Sequence, residues 1–169
     1  MTPSRFAASI FSCLALVASP GIAGAAENAC DEKTALGVER VVEIDTKGGP
    51  RLGHVQYKEI DFLEPGEVVL TFDDGPSPQT TPAVLEALGA HCTKATFFMV
   101  GRMAVANPEL ARKVDSLGHT VGSHTWSHKN LARHSASNAE REVELGVSAI
   151  TAAVGKPIAP FFRFPELSH

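Results

Sequence analysis

After Pro65-Gly66, the hydrophobic and polar positions fall into alternating strand-like and helix-like blocks. The short apolar run at 68–72 is typical of a buried parallel strand, and 95–100, 120–123 and 161–164 are predicted to be three further strands. Segments with helical spacing or helix-end signals predict three helices at 81–88, 108–117 and 137–154. This order predicts an α/β fold with a parallel sheet and right-handed crossovers.

Individual residues predict where these helices begin and end. Gly89 is predicted to stop the first helix, and Asn107 to cap the second. Ser137, with Glu140 three residues later, is predicted to form a capping box at the start of the third. Aliphatic residues recur on one face of that helix, and we expect them to point into the core: Val143, Val147, Ile150 and Val154.

The first part of the chain has a different pattern. Arg5 is the only charge before Glu27, an apolar run follows it, and small residues come next, so residues 1–25 are predicted to be a secretory signal peptide. An uncleaved membrane anchor is the alternative. Residues 26–65 are predicted to be an N-terminal extension with strands at 38–45 and 54–60 and a turn at 47–50. The signal predicts a secreted or periplasmic protein without a stable membrane span after cleavage.

Composition narrows the class of protein. The 169 residues are 44% hydrophobic and 20% charged, which excludes disorder and a polytopic membrane protein. The net charge of −4 and the lack of a basic patch argue against a nucleic-acid partner. Cys13 lies in the predicted signal, and Cys30 and Cys92 form either a disulfide or two unrelated thiols.

Residues that could act in catalysis or bind a metal come directly after the predicted strands. The first strand runs into Asp73-Asp74-Gly75-Pro76, which is either an Asp-rich turn or a metal ligand beside a general base. The third runs into His124 and His128, whose i, i+4 spacing would put both imidazoles on one face of a helical turn, where they could share a metal. The alternative interpretation is that His124 and His128 are surface histidines. Active sites in such folds lie at the C-terminal ends of the strands.

An arginine follows on the fourth predicted strand, in Arg163-Phe164-Pro165. A cation at this edge needs a carboxylate partner, and Asp73 is the natural one. A solvated arginine at the end of a strand is the alternative. Carboxylates, an imidazole pair and an arginine at one edge of the sheet together favour a functional site, because two histidines and one carboxylate are a common zinc ligand set.

These motifs resemble a known family. Thr71-Phe72-Asp73-Asp74-Gly75-Pro76, His124-Thr125-Trp126-Ser127-His128 and Arg163-Phe164-Pro165 are similar to the first three motifs of the polysaccharide deacetylases, also called the NodB-homology domain or carbohydrate esterase family four. The resemblance covers residues 66–169 and implies a distorted (β/α) barrel. It also implies removal of acetyl groups from N-acetylglucosamine units of chitin oligomers or peptidoglycan, or from acetylated xylan, so the expected partner is an acetylated oligosaccharide or polysaccharide.

The resemblance also implies roles for the individual residues. Asp74, His124 and His128 would bind a divalent metal, with Zn²⁺ expected, and Asp73 would be the base that takes a proton from water. Arg163 would orient Asp73. A backbone N–H after the proline of the third motif, which is that of Glu166 here, would stabilise the oxyanion. The general acid stays unassigned.

We expect the barrel to be incomplete over 66–169, as about four β/α units, because four strands cannot close a barrel. The first hypothesis is therefore the N-terminal part of a metal-dependent deacetylase. The alternatives are a truncated product without turnover and a metal-binding or carbohydrate-binding module.

Overall fold

The computed structural model describes residues 30, 33–52 and 62–167. A parallel sheet lies at the centre of the described residues and has the strand order β1 (Thr71–Asp73), β2 (Thr96–Met99), β3 (Thr120–Ser123). Phe97 is paired with Phe72 on one side and with Val121 on the other. The α/β prediction with a parallel sheet is confirmed.

Helices connect and cover the strands. They are α1 (Thr81–Ala90), α2 (Gly101–Ala106), α3 (Pro108–Ser116) and α4 (Ala136–Val154), with 3₁₀ turns at Leu131–Arg133 and Pro165–Leu167. The long helix α4 packs against α2, α3 and β3. Apolar side chains from the strands and helices form one core, which includes Leu85, Phe97, Met99, Ala104, Val114, Val121 and Ile150.

Two predicted strands differ in the structure. The first is shorter than expected, and Val68 and Val69 before it are 78% and 51% exposed, because β1 is an edge strand with no neighbour on its outer side among the described residues. The fourth is reduced to a single parallel bridge between Ser123 and Phe162. Pro165 has no N–H to continue the ladder, and the chain turns into a 3₁₀ helix there.

Some of the predicted helix ends are wrong. The first helix continues through Gly89 to Ala90, and Gly89 does not have the left-handed backbone with which a glycine ends a helix. The expected capping box at Ser137 is wrong, since α4 begins at Ala136 after Ser135 and has no side-chain cap. Helix α2, directly after β2, was not predicted.

The buried face of α4 is rotated from the predicted one. Val147 is exposed, whereas Ile150 and Val154 are buried as expected. The face is completed by three other residues, of which one is an acid: Glu142, Gly146 and Ala153. The helical period of the sequence identifies the aliphatic residues of α4. It does not show that a loop packs against this helix and that the buried face includes Glu142 and Gly146.

The N-terminal extension has no strand at 38–45, so that prediction is wrong, while the turn at 47–50 is confirmed by a hydrogen bond from Gly49 N to Thr46 O of 3.1 Å. The predicted strand at 54–60 and the signal at 1–25 lie outside the described residues. Cys30 and Cys92 form a disulfide, with their Cα atoms 5.7 Å apart. Within 30, 33–52 and 62–167, no helix has the length and apolar character needed to span a membrane.

Candidate active site

The predicted site residues meet at one edge of the sheet. Asp73 is the last residue of β1, and His124 directly follows β3. Arg163 is held beside β3 by a hydrogen bond from its backbone N to Ser123 O of 3.0 Å. Parallel strands end at the same edge, so the sheet itself brings these residues together.

Three side chains converge on a volume suited to a cation. Asp74 Oδ1 lies 3.1 Å from His128 Nε2 and 3.6 Å from His124 Nε2. One ligand atom from each residue lies within 4.8 Å of the others. Ligands bound to zinc at about 2.0–2.1 Å in a tetrahedral site are about 3.3 Å apart. The donor atoms and their spacing therefore fit such a metal.

The orientation of His124 supports the same fit. Its Nδ1 lies 2.8 Å from the backbone oxygen of Arg163, and because a carbonyl only accepts, Nδ1 carries the proton and donates. Nε2 is then left with a free lone pair facing Asp74, which is the arrangement of a metal-binding imidazole. Burial lowers the pKa of His124 below its ordinary value, so the ring stays neutral as metal binding requires.

Asp73 stands beside this group in an ion pair with Arg163. Nη1 of Arg163 is 2.9 Å from Asp73 Oδ1 and donates a second bond to Thr71 Oγ1 of 2.8 Å. The guanidinium carbon lies 4.3 Å from the centre of the Phe98 ring. Asp73 Oδ2 is 4.0 Å from His124 Nε2. The expected Arg163–Asp73 contact is confirmed, and one carboxylate oxygen is left on the side of the three converging residues.

The expected helical turn between His124 and His128 is wrong. The backbone φ of Thr125 is 69° and that of His128 is 60°, values that no right-handed helix allows. The rings nevertheless lie with their centres 4.9 Å apart. The two rings are therefore close together as the i, i+4 spacing predicts, but through a loop shaped by its neighbours and not through a helical turn.

Contacts from two helices hold that loop. At the start of α2, Gly101 N donates to Thr125 O (2.9 Å) and Arg102 N donates to Trp126 O (3.0 Å). From the other side, Trp126 N donates to Glu142 O of α4 at 2.8 Å. The five residues 124–128 therefore obtain their conformation from tertiary contacts.

Glu166, the expected site of an oxyanion donor, lies in the 3₁₀ turn after Arg163 with a φ of 56°. Its carboxylate accepts a hydrogen bond from Asn130 Nδ2 of 2.7 Å. The acidic side chain is thus tied to the loop that follows His128.

Several residues of the site were missed from the sequence. Thr71 could have been found, because it lies two residues before Asp73 on the same side of a strand. Phe98, Ser127 and Glu142 carry no local signal. An apolar groove of about 290 Å³ between the extension and α1 includes none of the predicted site residues, which lie instead at the carboxyl edge of the sheet.

Comparison with known proteins identifies the family of this chain. The family description of the polysaccharide deacetylases matches residues 63–169. The chain belongs to this family. The chitooligosaccharide deacetylase of Azorhizobium caulinodans is 37% identical over 98 residues, which are 58% of this chain and 47% of that protein.

Two further polysaccharide deacetylases extend the comparison. The peptidoglycan-N-acetylglucosamine deacetylase of Listeria monocytogenes is 43% identical over 76 residues, which are 45% of this chain and 16% of that protein. The solved structure of a family 4 carbohydrate esterase from Streptomyces lividans in complex with acetate is 33% identical, with a TM-score of 0.58 over 62% of this chain and 54% of that one. The chain thus spans about half the length, or less, of the relatives it matches.

Proposed function

We propose that this polysaccharide deacetylase is a metal-dependent hydrolase that removes N-acetyl groups from N-acetylglucosamine-containing oligosaccharides or polysaccharides. One observation carries the proposal: a carboxylate paired with an arginine stands directly beside a second carboxylate and two imidazoles. The related chitooligosaccharide and peptidoglycan deacetylases support the substrate class.

Asp74, His124 and His128 are the proposed ligands of a divalent metal, most simply Zn²⁺, because imidazole and carboxylate donors suit zinc and three ligands leave a position open. Such an ion supplies Lewis-acid chemistry, since it polarises a carbonyl and lowers the pKa of water. The hydrogen bond from His124 Nδ1 to the Arg163 carbonyl presents the opposite ring nitrogen to this position.

Asp73 is the proposed general base. Its Oδ1 is held by Arg163, which leaves Oδ2 to accept the proton of the water that attacks the amide carbonyl. Arg163 orients Asp73 through its side chain and His124 through its backbone. The N–H of Glu166 is the proposed donor to the oxyanion of the tetrahedral intermediate.

Residues 1–25 are the proposed secretory signal, 26–65 the extension and 66–169 the deacetylase region, in a protein that works outside the cytoplasm. The disulfide between Cys30 and Cys92 supports this location, because such bonds persist in oxidising compartments. Chitin oligomers and peptidoglycan are extracytoplasmic substrates of the same class.

Acetate release from a panel of acetylated glycans, including chitin oligomers and peptidoglycan, tests the proposal. Asp73→Asn is expected to lower kcat by about 10²–10⁴-fold, because it removes the proton acceptor, while Zn²⁺ stays bound. Asp115→Asn is the matched control, since Asp115 is also paired with a cation, Lys156 at 2.9 Å, but lies on α3.

Unchanged turnover of the zinc-loaded Asp73→Asn protein would refute the assignment of the base. Zn²⁺ binding without acetate release from any glycan of the panel would contradict the hydrolase proposal and favour a metal-binding or carbohydrate-binding module.

A further inference from the structure

A buried acid on α4 has no part in the proposed chemistry. Glu142 is only 7% exposed, and it is the one buried carboxylate among the described residues. Both of its oxygens are engaged. Ser127 donates from its backbone N to Oε2 (2.9 Å) and from its hydroxyl to both oxygens (2.9 and 3.0 Å), and Lys129 Nζ lies 3.1 Å from Oε1.

The partners of Glu142 flank one proposed metal ligand. Ser127 and Lys129 are the residues immediately before and after His128. The Glu142 carboxylate therefore binds the residue on either side of that histidine. Burial by itself would raise the pKa of Glu142, but the hydrogen bonds from Ser127 and the ion pair with Lys129 bring it below its ordinary value, so the group is ionised.

The backbone conformation of the loop is unfavourable by itself and depends on contacts from outside the loop. Thr125 and His128 both have left-handed backbone conformations, which cost about 1–3 kcal/mol each for residues other than glycine. Within the loop, one side-chain hydrogen bond, from His128 N to Thr125 Oγ1 at 3.0 Å, supports this conformation. The remaining support comes from outside, and at Ser127 it comes from Glu142.

We propose that Glu142 is a positioning residue for His128: from α4 it clamps Ser127 and Lys129 and so fixes the loop conformation in which His128 reaches Asp74 and His124. The proposal rests on the metal centre of the proposed function. Glu142 touches neither the metal position nor the reacting atoms, so its effect passes through the loop.

The experiment compares the intact chain with Glu142→Gln, Ser127→Ala and Glu144→Gln. Glu144 is exposed on the same helix and serves as the matched control. Zn²⁺ affinity is measured by competition with a chromophoric chelator, and Co²⁺ absorption reports the geometry of the ligands. We expect Glu142→Gln to raise the Zn²⁺ dissociation constant about 10-fold or more and to change the Co²⁺ spectrum, with a smaller effect in the same direction for Ser127→Ala. Glu144→Gln should bind as the parent does.

A purely stabilising role predicts a lower melting temperature with unchanged metal affinity at temperatures where the variant is folded. Unchanged Zn²⁺ affinity and Co²⁺ spectrum in folded Glu142→Gln would therefore overturn the proposal. If that variant does not fold, the same result with folded Ser127→Ala overturns it.

A metal-free measurement separates this inference from the proposed function. If the parent protein binds no Zn²⁺, the metal centre itself is refuted. Amide hydrogen exchange of residues 126–129 without metal then decides the role of Glu142. Faster exchange there in Glu142→Gln, but not in Glu144→Gln, supports the clamp, and equal protection in both overturns it.

Discussion

The loop of residues 124–128 and the N-terminal stretch 33–52 both lack regular secondary structure, yet the protein holds them in opposite ways. Thr125 is fully buried, and helices α2 and α4 bond the loop from two sides. In the N-terminal stretch, Leu36 and Val41 are 73% and 80% exposed. Packing and hydrogen bonds thus shape the backbone of residues 124–128, whereas residues 33–52 lie on the surface of the protein.

Hydrogen bonds, an ion pair and a nearby disulfide attach the N-terminal stretch to the rest of the protein. Gly37 exchanges hydrogen bonds with His91 and Thr93, at 2.9 and 3.0 Å, close to the Cys30–Cys92 disulfide. Arg40 pairs with Glu67 farther along. These contacts reach the end of α1 and the segment before β1, which lie away from the carboxyl ends of the strands. We therefore expect changes in the two regions to have different consequences, one for the site and one for stability alone.

The largest effect on stability is expected from removing the disulfide. Cys30 and Cys92 are 62 residues apart, and a cross-link closing a loop of this size stabilises a folded chain by about 4 kcal/mol in the chain-entropy account. Cys30→Ser/Cys92→Ser should lose about that much free energy of unfolding, measured by urea titration, with Zn²⁺ affinity within twofold of the parent. A marked loss of Zn²⁺ affinity in the folded variant would show that the extension does shape the site.

Gly146→Ala tests the loop side of the comparison. A Cβ at Gly146 would lie 2.6 Å from the carbonyl carbon of Thr125 and 2.9 Å from Trp126 N, and backbone atoms cannot move aside as a side chain can. We expect a loss of about 3 kcal/mol in the free energy of unfolding together with weaker Zn²⁺ binding.

Gly89→Ala is the matched control for that substitution, because Gly89 is also in a helix and nothing lies within 4 Å of its added Cβ. It should stabilise the protein by about 0.5–1 kcal/mol and leave Zn²⁺ binding unchanged. Equal effects of the two substitutions would mean that contact between α4 and the loop does not matter.

The smallest effect on stability concerns His119, a buried residue whose Nδ1 accepts a hydrogen bond from Ala95 N of 3.3 Å. Burial, assisted by the charge of Lys94, lowers the pKa of His119 in the folded state. The unfolded chain therefore binds the proton more readily, and stability falls as the pH drops below about 6.5.

This contribution cannot exceed about 1.4 kcal/mol for each pH unit. Urea titrations between pH 5 and 7 in the presence of a metal chelator should show a shallower pH dependence for His119→Gln than for the parent. Identical slopes would contradict the assignment.

The strand-end residues were predictable because they depend on a local rule. The segments before Asp73 and His124 have the length of short strands, and parallel strands place the residues at their carboxyl ends along one edge of the sheet. Arg163 was placed correctly although its strand is only a bridge, because the backbone still pairs with Ser123. The exposed start of the first predicted strand was not predictable, since hydrophobicity does not show which strand lies at the edge of a sheet.

The sequence by itself determined the parallel α/β fold and the residue types at the edge where the candidate site lies, because the period of side chains and the direction of strands are local properties. Only the tertiary structure decided how His128 reaches Asp74, which carbonyl fixes the His124 ring, and why α4 carries a glycine and a buried acid. Those features depend on contacts between segments distant in the chain. The left-handed backbone of Thr125 and His128 lies in a loop that α2 and α4 hold through hydrogen bonds to Thr125 and Trp126.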